Sequence, residues 1–558
     1  MDKIASSWDY ECDVLVVGSG SSGMTTALAA KHFGLDALLI EKAALYGGSG
    51  ALSGGNVWIP NNPVNVAAGV RDSKTKARAY LNAIANHDVP QSRVDAFLDY
   101  GPEAISFLEQ NTHMNHVRVP GYSDYHPEAP GGDKNGRSIE PVPFDMRKLG
   151  SDADLINRQD IQKPPGGLWV KTPEYHQLTR VTRTWMGKWT ALRVGVRTYA
   201  YKAMRRQMVS LGTAGAARLR LSLKEQGIPL WLKAPLVELV MEDGVVLGAK
   251  IEKDGKPFTV RTKRGVVLTT GGFEHSEELR QKYGPKPAST AWTTGLGSNT
   301  GDGINVGVSV GGTLDLMDDA WWGPVVMTGG GPFFLLAERS LPGSIVVNGA
   351  GKRFVNESTP YQDFVPKVYE GEETGVSHVP AYLVFDNRHR TRYPFMVTPP
   401  RQKLPQELFD DGVVATAPTV EQLAKKIGIE ASSLRATIDR FNGFVDSGRD
   451  LDFGRGDSIY DHYFGDPTVK PNPNLEKLEE GPFFAVKIWP GDVGTKGGLV
   501  CDERSRVLHE NGEPIAGLYA AGNASASMMG KAYPGPGGTI GPAITFGYLA
   551  AKDLAGRL

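Results

Sequence analysis

Residues 13–42 read DVLVVGSGSSGMTTALAAKHFGLDALLIEK. Val14 to Val17 are an unbroken apolar run, the mark of a strand covered on both faces. Gly18, Gly20 and Gly23 follow as GxGxxG, and Met24 to Phe33 continue as a helix. Ala37 to Ile40 form a second strand that ends at Glu41, with Lys42 next. The first two glycines permit a tight turn and close approach of a pyrophosphate, with Ser22 at the same turn. The third permits helix-on-strand packing. The positive helix end favours phosphate charge, and Glu41 can accept from ribose hydroxyls. GxGxxG alone is weak evidence, but strand, helix, second strand and terminal acid together specify a dinucleotide site.

The choice between NAD and FAD lies further along. EKAALYGGSGALSGGNVWIP (41–60) sets Gly47, Gly48, Gly54 and Gly55 around Ser49 and Ser53, a second glycine-rich loop that an NAD domain does not need. It resembles the loop that flavoproteins of the fumarate-reductase superfamily wrap around FAD. Some of those relatives carry a flavin-linking histidine here. This stretch has none, the nearest being His32 and His87, so the resemblance implies non-covalent FAD. Three later segments are each an ordinary loop when taken alone. They are RGVVLTTGGFE (264–274) with Gly271 and Gly272, NTGDGINVG (299–307) with Asn299, Gly301 and Asp302, and GLYAAGNASAS (517–527) with Gly522 and Asn523. In this order they resemble the GR2-type FAD-binding domain, an α/β fold with a Rossmann-like core. The resemblance makes these residues, with Thr539 and Ile540 at the last helix start, candidates for cofactor contact.

KAYPGPGGTIGPAITFGYLAA (531–551) places Tyr533 in a cramped Gly-Pro run that opens into an apolar helix. YPGPGGTIG closely resembles the C-terminal signature of FAD-dependent 3-ketosteroid Δ1-dehydrogenases. ECDVLVVGSG (11–20), PGSIVVNGAGKRFVNESTPY (342–361), GTKGGLV (494–500) and GLYAAGN (517–523) agree with it. The resemblance runs from about residue 11 to the C-terminus. It implies removal of two hydrogens from C1 and C2 of a 3-ketosteroid, with electrons passed to an external acceptor. C2 lies α to the carbonyl, so its proton is removable once the C3 oxygen is stabilised as it gains enolate character. Residue by residue, the resemblance implies that Tyr533 O–H and Gly537 N–H hold that oxygen and that Tyr361 takes the C2 proton. Tyr125, in GYSDYHPEAPGG (121–132), would assist the base, with Tyr122 the alternative register. A phenol of pKa about 10 is a poor base, so a neighbour must stabilise its anion. His126 is either a proton relay or a plain loop histidine. The glycines at 535, 537, 538 and 541, and free N–H groups near Gly538 to Ile540, are expected to let flavin and substrate approach. Two rival enzymes stay open: the sister Δ4-(5α)-dehydrogenase, and a fumarate-reductase-like ene-reductase.

Composition narrows the setting. Lys plus Arg (61) balances Asp plus Glu (62), so nucleic acid is not an expected partner. Cys12 and Cys501 are the only cysteines, which excludes a disulfide scaffold, and no metal site is expected. No apolar run is long enough to span a bilayer, and MDKIASSWDYECD lacks the apolar core of a secretory signal. The expectation is a cytoplasmic protein.

Residues 151–206 have no expected counterpart in compact members of the family. From Tyr175 to Lys224 there are eleven Lys or Arg and no Asp or Glu. Trp185, Trp189, Leu192, Val196 and Tyr199 recur at helical spacing among those cations. The expectation is peripheral contact, through 175–210, with the inner face of the cytoplasmic membrane, suiting a steroid with a long side chain; ordinary core or a subunit interface are the alternatives. The expected organisation is FAD-binding domain over 1–150, 207–318 and 490–558, this insertion over 151–206, and an inserted α+β catalytic domain over 319–489. Trp321, Trp322, Phe333, Phe334 and Phe354 are candidates to line the steroid cleft or to pack the core. TVEQLAKKIGIEASSLRATIDRFNGFV (419–445) reads as one helical stretch.

Overall fold

The computed structural model describes residues 8–85, 89–158 and 167–558. β1 (Tyr10–Val17) and β2 (Ala37–Ile40) pair in parallel, Val14 opposite Ala37 and Val17 opposite Ile40, with α1 (Ser21–His32) as their crossover. β3 (Val245–Lys253) and β4 (Lys256–Leu268) form a hairpin, and β4 runs parallel to the other edge of β1. β5 (Pro514–Ala520) joins β4 in parallel from the far end of the chain. Val14, Leu15 and Val16 are fully buried, which explains why this strand reads apolar without alternation. The sheet runs Arg506–Leu508, β5, β3, β4, β1, β2, Leu230–Trp231, with Leu236–Glu242 on β3. Gly23 is required by packing, since a Cβ there would lie 1.9 Å from Gly18 O.

The basic segment forms α2 (Trp185–Ala203), capped by Thr184, whose Oγ1 accepts from Gly187 N–H at 2.9 Å. Gly187 lies against the preceding turn, where a Cβ would stand 2.7 Å from Arg180 O, so it serves close approach and does not interrupt the helix. Thr190, Val194 and Thr198 are buried on one face. The opposite face carries the five residues of the apolar stripe, all exposed. α3 (Leu211–Glu225) then returns to the sheet. No helix among the described residues is long and apolar enough to cross a membrane.

A second sheet is built from strands between Ala320 and Thr495, in the order Gly331–Phe334, Ala320–Thr328, Phe483–Thr495, Ala381–Phe385, Ser344–Val347. Its strand Phe483–Thr495 runs unbroken through the boundary expected between 489 and 490. α4 (Tyr361–Glu372) packs on this sheet. The stretch after Thr419 is two helices, Val420–Ile427 and Ala431–Ser447, because Gly428 takes φ +74° and ends the first. α5 (Ile540–Leu554) packs along α1, where Thr26 Oγ1 donates to Gly547 O at 3.0 Å and a Cβ on Gly547 would meet Thr26 at 2.7 Å.

Candidate active site

The turn after β1 opens on a cleft. It is lined by Gly18, Gly20, Ser22, Glu41, Lys42, Gly48, Ser49, Gly271, Asn299, Asp302, Gly522, Asn523, Thr539 and Ile540 among the sequence candidates. Segments hundreds of residues apart are tied across it. Lys42 pairs with Asp302 and donates to Thr300 Oγ1 at 2.6 Å. Ser49 Oγ accepts from Asn299 Nδ2 at 3.0 Å. Glu41 Oε2 accepts from Ser19 N–H at 3.0 Å and Ser19 Oγ at 2.7 Å.

The other six candidates stand away from the cleft lining. Gly23 serves packing; Gly55 lies against the start of α3, where a Cβ would stand 2.4 Å from Gly212 N; Gly272 lies against Thr495; and Gly301 against Leu279. Ser53 and Gly54 belong to the same turn as Gly55, where Ser53 Oγ accepts from Gly55 N–H. Sequence reading also missed lining residues, notably Ser19, Thr270, Ala234, Leu236 and Ser298. It missed Glu274 as well, a buried carboxyl that holds Asn299 Nδ2 at 2.6 Å and is pushed up to about 7 by burial.

These residues fit a dinucleotide. A Cβ on Gly20 would meet no protein atom within 4 Å, so that glycine leaves room facing open space. Ser22 Oγ and Thr270 Oγ1 line the cleft, are buried, and have no partner among the described residues. No histidine among the described residues lines it. FAD held by these residues would be held without a histidyl link.

Beyond the end of α5 nearest the cleft lie three tyrosines. Tyr125 Oη donates to Tyr361 Oη at 2.8 Å. The Tyr533 ring stands edge-on to both, at 5.1 Å from Tyr125 and 5.7 Å from Tyr361. Thr539 Oγ1, on the cleft wall, donates to Tyr533 Oη at 3.3 Å. Trp321 packs on Tyr533 at 4.9 Å and donates to Asn523 Oδ1 at 3.2 Å, and Phe334 stands edge-on to Tyr361 at 5.1 Å. Trp322, Phe333 and Phe354 pack in the core around the second sheet. Tyr122 is not the partner of Tyr361; it stacks on Tyr463 at 4.3 Å. His126 faces Asp363 at 3.5 Å and not the tyrosine pair.

Each tyrosine is positioned by its own loop. Tyr125 N–H donates to Pro534 O at 3.0 Å, and Tyr80 Oη donates to the same carbonyl at 2.6 Å while accepting from His126 N–H at 3.2 Å. Trp58 N–H donates to Gly537 O at 3.1 Å, and Ser138 Oγ to Pro536 O at 2.6 Å. The glycines of this loop therefore differ from expectation. A Cβ on Gly535 would lie 2.7 Å from the Trp58 ring, on Gly537 2.2 Å from Asn56 O, and on Gly541 2.2 Å from Trp58 O. They admit other parts of the chain itself, a ring at Gly535 and backbone at Gly537 and Gly541, and Gly538 N–H is already used by Gly535 O at 3.0 Å. Tyr361 opens α4, and the loop before it is set by Glu357, which accepts from Arg353 at 2.7 and 2.8 Å, from Val346 N–H at 3.1 Å and from Arg455 at 3.3 Å.

Burial holds the phenols of Tyr125 and Tyr361 well above the ordinary range, with the nearby phenols adding to it. The hydrogen bond from Tyr125 pulls Tyr361 back down. Tyr533 is raised by burial and opposed by donors from Thr539, Tyr361 and the Gly537 backbone. The arrangement is a buried, hydrogen-bonded pair of phenols beside a third, which Thr539 joins to the cleft wall.

Comparison with known proteins agrees. The FAD binding domain family matches residues 13–540. A 3-oxosteroid 1-dehydrogenase of Mycolicibacterium smegmatis is 48% identical over 554 residues, covering 98% of this chain and 97% of its own. One of Mycobacterium tuberculosis is 48% identical over 555 residues, covering 98% of each. The crystal structure of 3-ketosteroid delta1-dehydrogenase from Sterolibacterium denitrificans, in complex with 1,4-androstadiene-3,17-dione, matches with TM-score 0.94 and 38% identity over 98% of this chain and 100% of that one. The matched spans run through residues 151–206. This chain belongs to the 3-oxosteroid 1-dehydrogenase family of FAD-dependent oxidoreductases.

Proposed function

We propose that the chain introduces a C1–C2 double bond into 3-ketosteroids, and that the 2.8 Å bond between Tyr125 and Tyr361 beside Tyr533 is the observation that carries this reading. FAD, held by the cleft residues around Gly20, Glu41, Asn299 and Thr539, would supply the hydride acceptor for the C1 hydrogen. Tyr533 O–H and Gly537 N–H hold the C3 oxygen and stabilise it as C2 loses its proton. Tyr361 takes that proton, and Tyr125 stabilises the phenolate that must precede this step by donating to it. The C1–C2 double bond forms as proton and hydride leave, and the two electrons go on to an external acceptor. Enclosure by Trp321 and Phe334 keeps water from the developing charge.

α2 supports a second part of the proposal. Trp185 is 85% exposed and Tyr199 71%, on a helix flanked by Lys188, Arg193 and Lys202. Such a face suits insertion into a lipid headgroup layer, as a peripheral protein on the inner face of the cytoplasmic membrane that takes long-tailed steroids from the bilayer.

The test is anaerobic mixing of the holoenzyme with cholest-4-en-3-one and with androst-4-ene-3,17-dione, following the flavin absorbance. Bleaching with formation of the 1,4-diene-3-one is the expected result, and the faster substrate reports the side-chain preference. Bound FAD without bleaching by either steroid overturns the substrate assignment. A new C4–C5 double bond from a saturated steroid would favour the sister activity.

A further inference from the structure

α2 ends at Ala203, and the chain returns to the main body through Met208–Val209, which pairs antiparallel with Phe144–Asp145. Beside this pair opens a pocket of about 530 Å³, whose lining includes Arg147, Lys148, Arg206, Arg218, Asp145 and Met208. Four cations against one carboxylate leave a formal charge of +3 in the lining (4 − 1). The carboxylate is already consumed. Asp145 accepts from Arg147 Nε at 3.0 and 3.1 Å, from Arg147 Nη2 at 2.6 Å and from Gln207 N–H at 3.2 Å.

The cations keep donors to spare. Arg218 gives three N–H groups to carbonyls, those of Val142 at 2.9 Å, His113 at 2.8 Å and Pro143 at 3.1 Å, and the guanidinium lies 5.5 Å from the Phe144 ring. A guanidinium has five N–H groups, so two are left for a ligand, and no carboxylate hydrogen-bonds to it among the described residues. Arg206 rests over the Tyr201 ring at 5.2 Å, and Lys148 makes no hydrogen bond or ion pair among the described residues. One guanidinium held by three carbonyls, with two further guanidinium groups and an ammonium around the same space, suits a cluster of phosphate oxygens.

Its place says which phosphate. Arg206 is three positions beyond the end of α2, in the same short connection as Met204, which is 52% exposed. We propose that this pocket receives the phosphate of an anionic glycerophospholipid whose leaflet also takes the apolar face of α2. The proposal rests on the membrane reading of α2 given above and adds a specific headgroup site to it.

Vesicle sedimentation of the FAD-loaded full chain tests it, using phosphatidylcholine alone and phosphatidylcholine mixed with phosphatidylglycerol. The variants are wild type and the triple substitution Arg147→Gln, Lys148→Gln, Arg206→Gln, with flavin absorbance and melting temperature as checks on folding. Arg218 is left alone because it also holds three carbonyls. Each basic residue near an anionic surface is worth about fivefold in affinity, so wild type should prefer the phosphatidylglycerol vesicles by about a hundredfold or more. The triple variant should lose about a hundredfold of that preference, retaining only what Lys188, Arg193 and Lys202 on α2 supply, and keep its binding to phosphatidylcholine. Replacing chloride by inorganic phosphate at constant ionic strength should weaken wild-type binding to the anionic vesicles only, since a diffuse basic patch senses ionic strength alone. A preference undiminished by the triple substitution or by the phosphate exchange overturns the pocket and leaves the membrane reading standing. Failure of wild type to sediment with either vesicle overturns the membrane reading and the headgroup site together.

Discussion

Tyr125, Tyr361 and Tyr533 expose 2%, 9% and 6% of their surface, whereas Trp185, Trp189 and Tyr199 on α2 expose 85%, 58% and 71%. Both groups are amphipathic aromatics, but the chain treats them in opposite ways. Around the first it has built donors, ring edges and backbone carbonyls from both ends of the sequence, so each hydroxyl has one place to be. Around the second it has built a base, with Thr190, Val194 and Thr198 packed inward and Arg197 tied to Glu174 at 2.7 and 2.9 Å. Over the rings it has set only lysines, Lys188 at 5.0 Å from Trp185 and Lys202 at 6.0 Å from Tyr199. The difference separates two uses of an aromatic side chain. Enclosure fixes hydroxyl geometry and perturbs phenol acidity, as chemistry needs, whereas exposure leaves apolar area ready for something that is not this chain.

Substitution should therefore act on turnover in the first region and on association in the second. Tyr361→Phe removes the proposed base and is expected to cut turnover by up to about 10⁴-fold with FAD still bound, read by single-turnover bleaching. Loss of less than about tenfold would place the base elsewhere. Tyr533→Phe removes one donor to the C3 oxygen and should cost about 10²- to 10³-fold in kcat. An unchanged rate in that variant would remove the oxygen-binding assignment while leaving Tyr361 untouched.

Tyr125→Phe sharpens the comparison through pH. The phenolate is the charged form of Tyr361, so burial raises its pKa and the bond donated by Tyr125 lowers it. Deleting that donor should move the ascending limb of the kcat profile to higher pH. At fixed neutral pH the loss should be about 10- to 100-fold, the value of a hydrogen bond to a charged group. A limb that stays in place would mean that Tyr125 only packs against the base. Tyr80→Phe is smaller again. It deletes the donor to Pro534 O but leaves Tyr125 N–H on that carbonyl, so roughly a fivefold loss is expected, with the pH profile unmoved.

How far these regions could be read from sequence follows from the same physics. β1, α1 and β2 were legible because a doubly covered strand and a glycine turn are local signals. The three tyrosines were legible only through motif resemblance. Nothing in the spacing of residues 125, 361 and 533 says that their rings meet, since that depends on two loops joined at Pro534 and on the Glu357 cluster beneath α4. Thr270 escaped because the parallel register of β1, β4 and β5 joins segments more than 200 residues apart. Ala234 and Leu236 escaped because they reach the cleft only through the bond from Ala234 N–H to Glu41 O and the pairing of Leu236 with Ile251. Tyr80 gave no signal at all, being one aromatic on the buried face of the helix Lys74–Ile84. Glycine misled in a consistent way. Gly55, Gly272, Gly301 and Gly537 were read as room for a ligand, yet the atoms that a Cβ would strike belong to the protein itself. A residue with no side chain reports that something comes close, without saying what.

The smallest expected effect is the one that most cleanly divides the regions. Trp58 is fully buried, stacks on Phe97 at 6.2 Å and donates to Asp124 at 2.8 Å, so Trp58→Ala should destabilise by about 3–5 kcal/mol. The same change at Trp185 removes a ring that is 85% exposed, and should fall within about 0.5 kcal/mol of wild type. Thermal melts of the two holo variants make the comparison directly. If Trp185→Ala also lowers the melting temperature by many degrees, its ring is covered in solution, by another subunit or by the chain itself. α2 would then be an interface of the folded assembly, and the contrast between a closed catalytic region and an open docking helix would be lost. If the melt is unchanged while sedimentation with lipid vesicles falls, the exposed stripe contributes nothing to folding and its apolar area serves association alone.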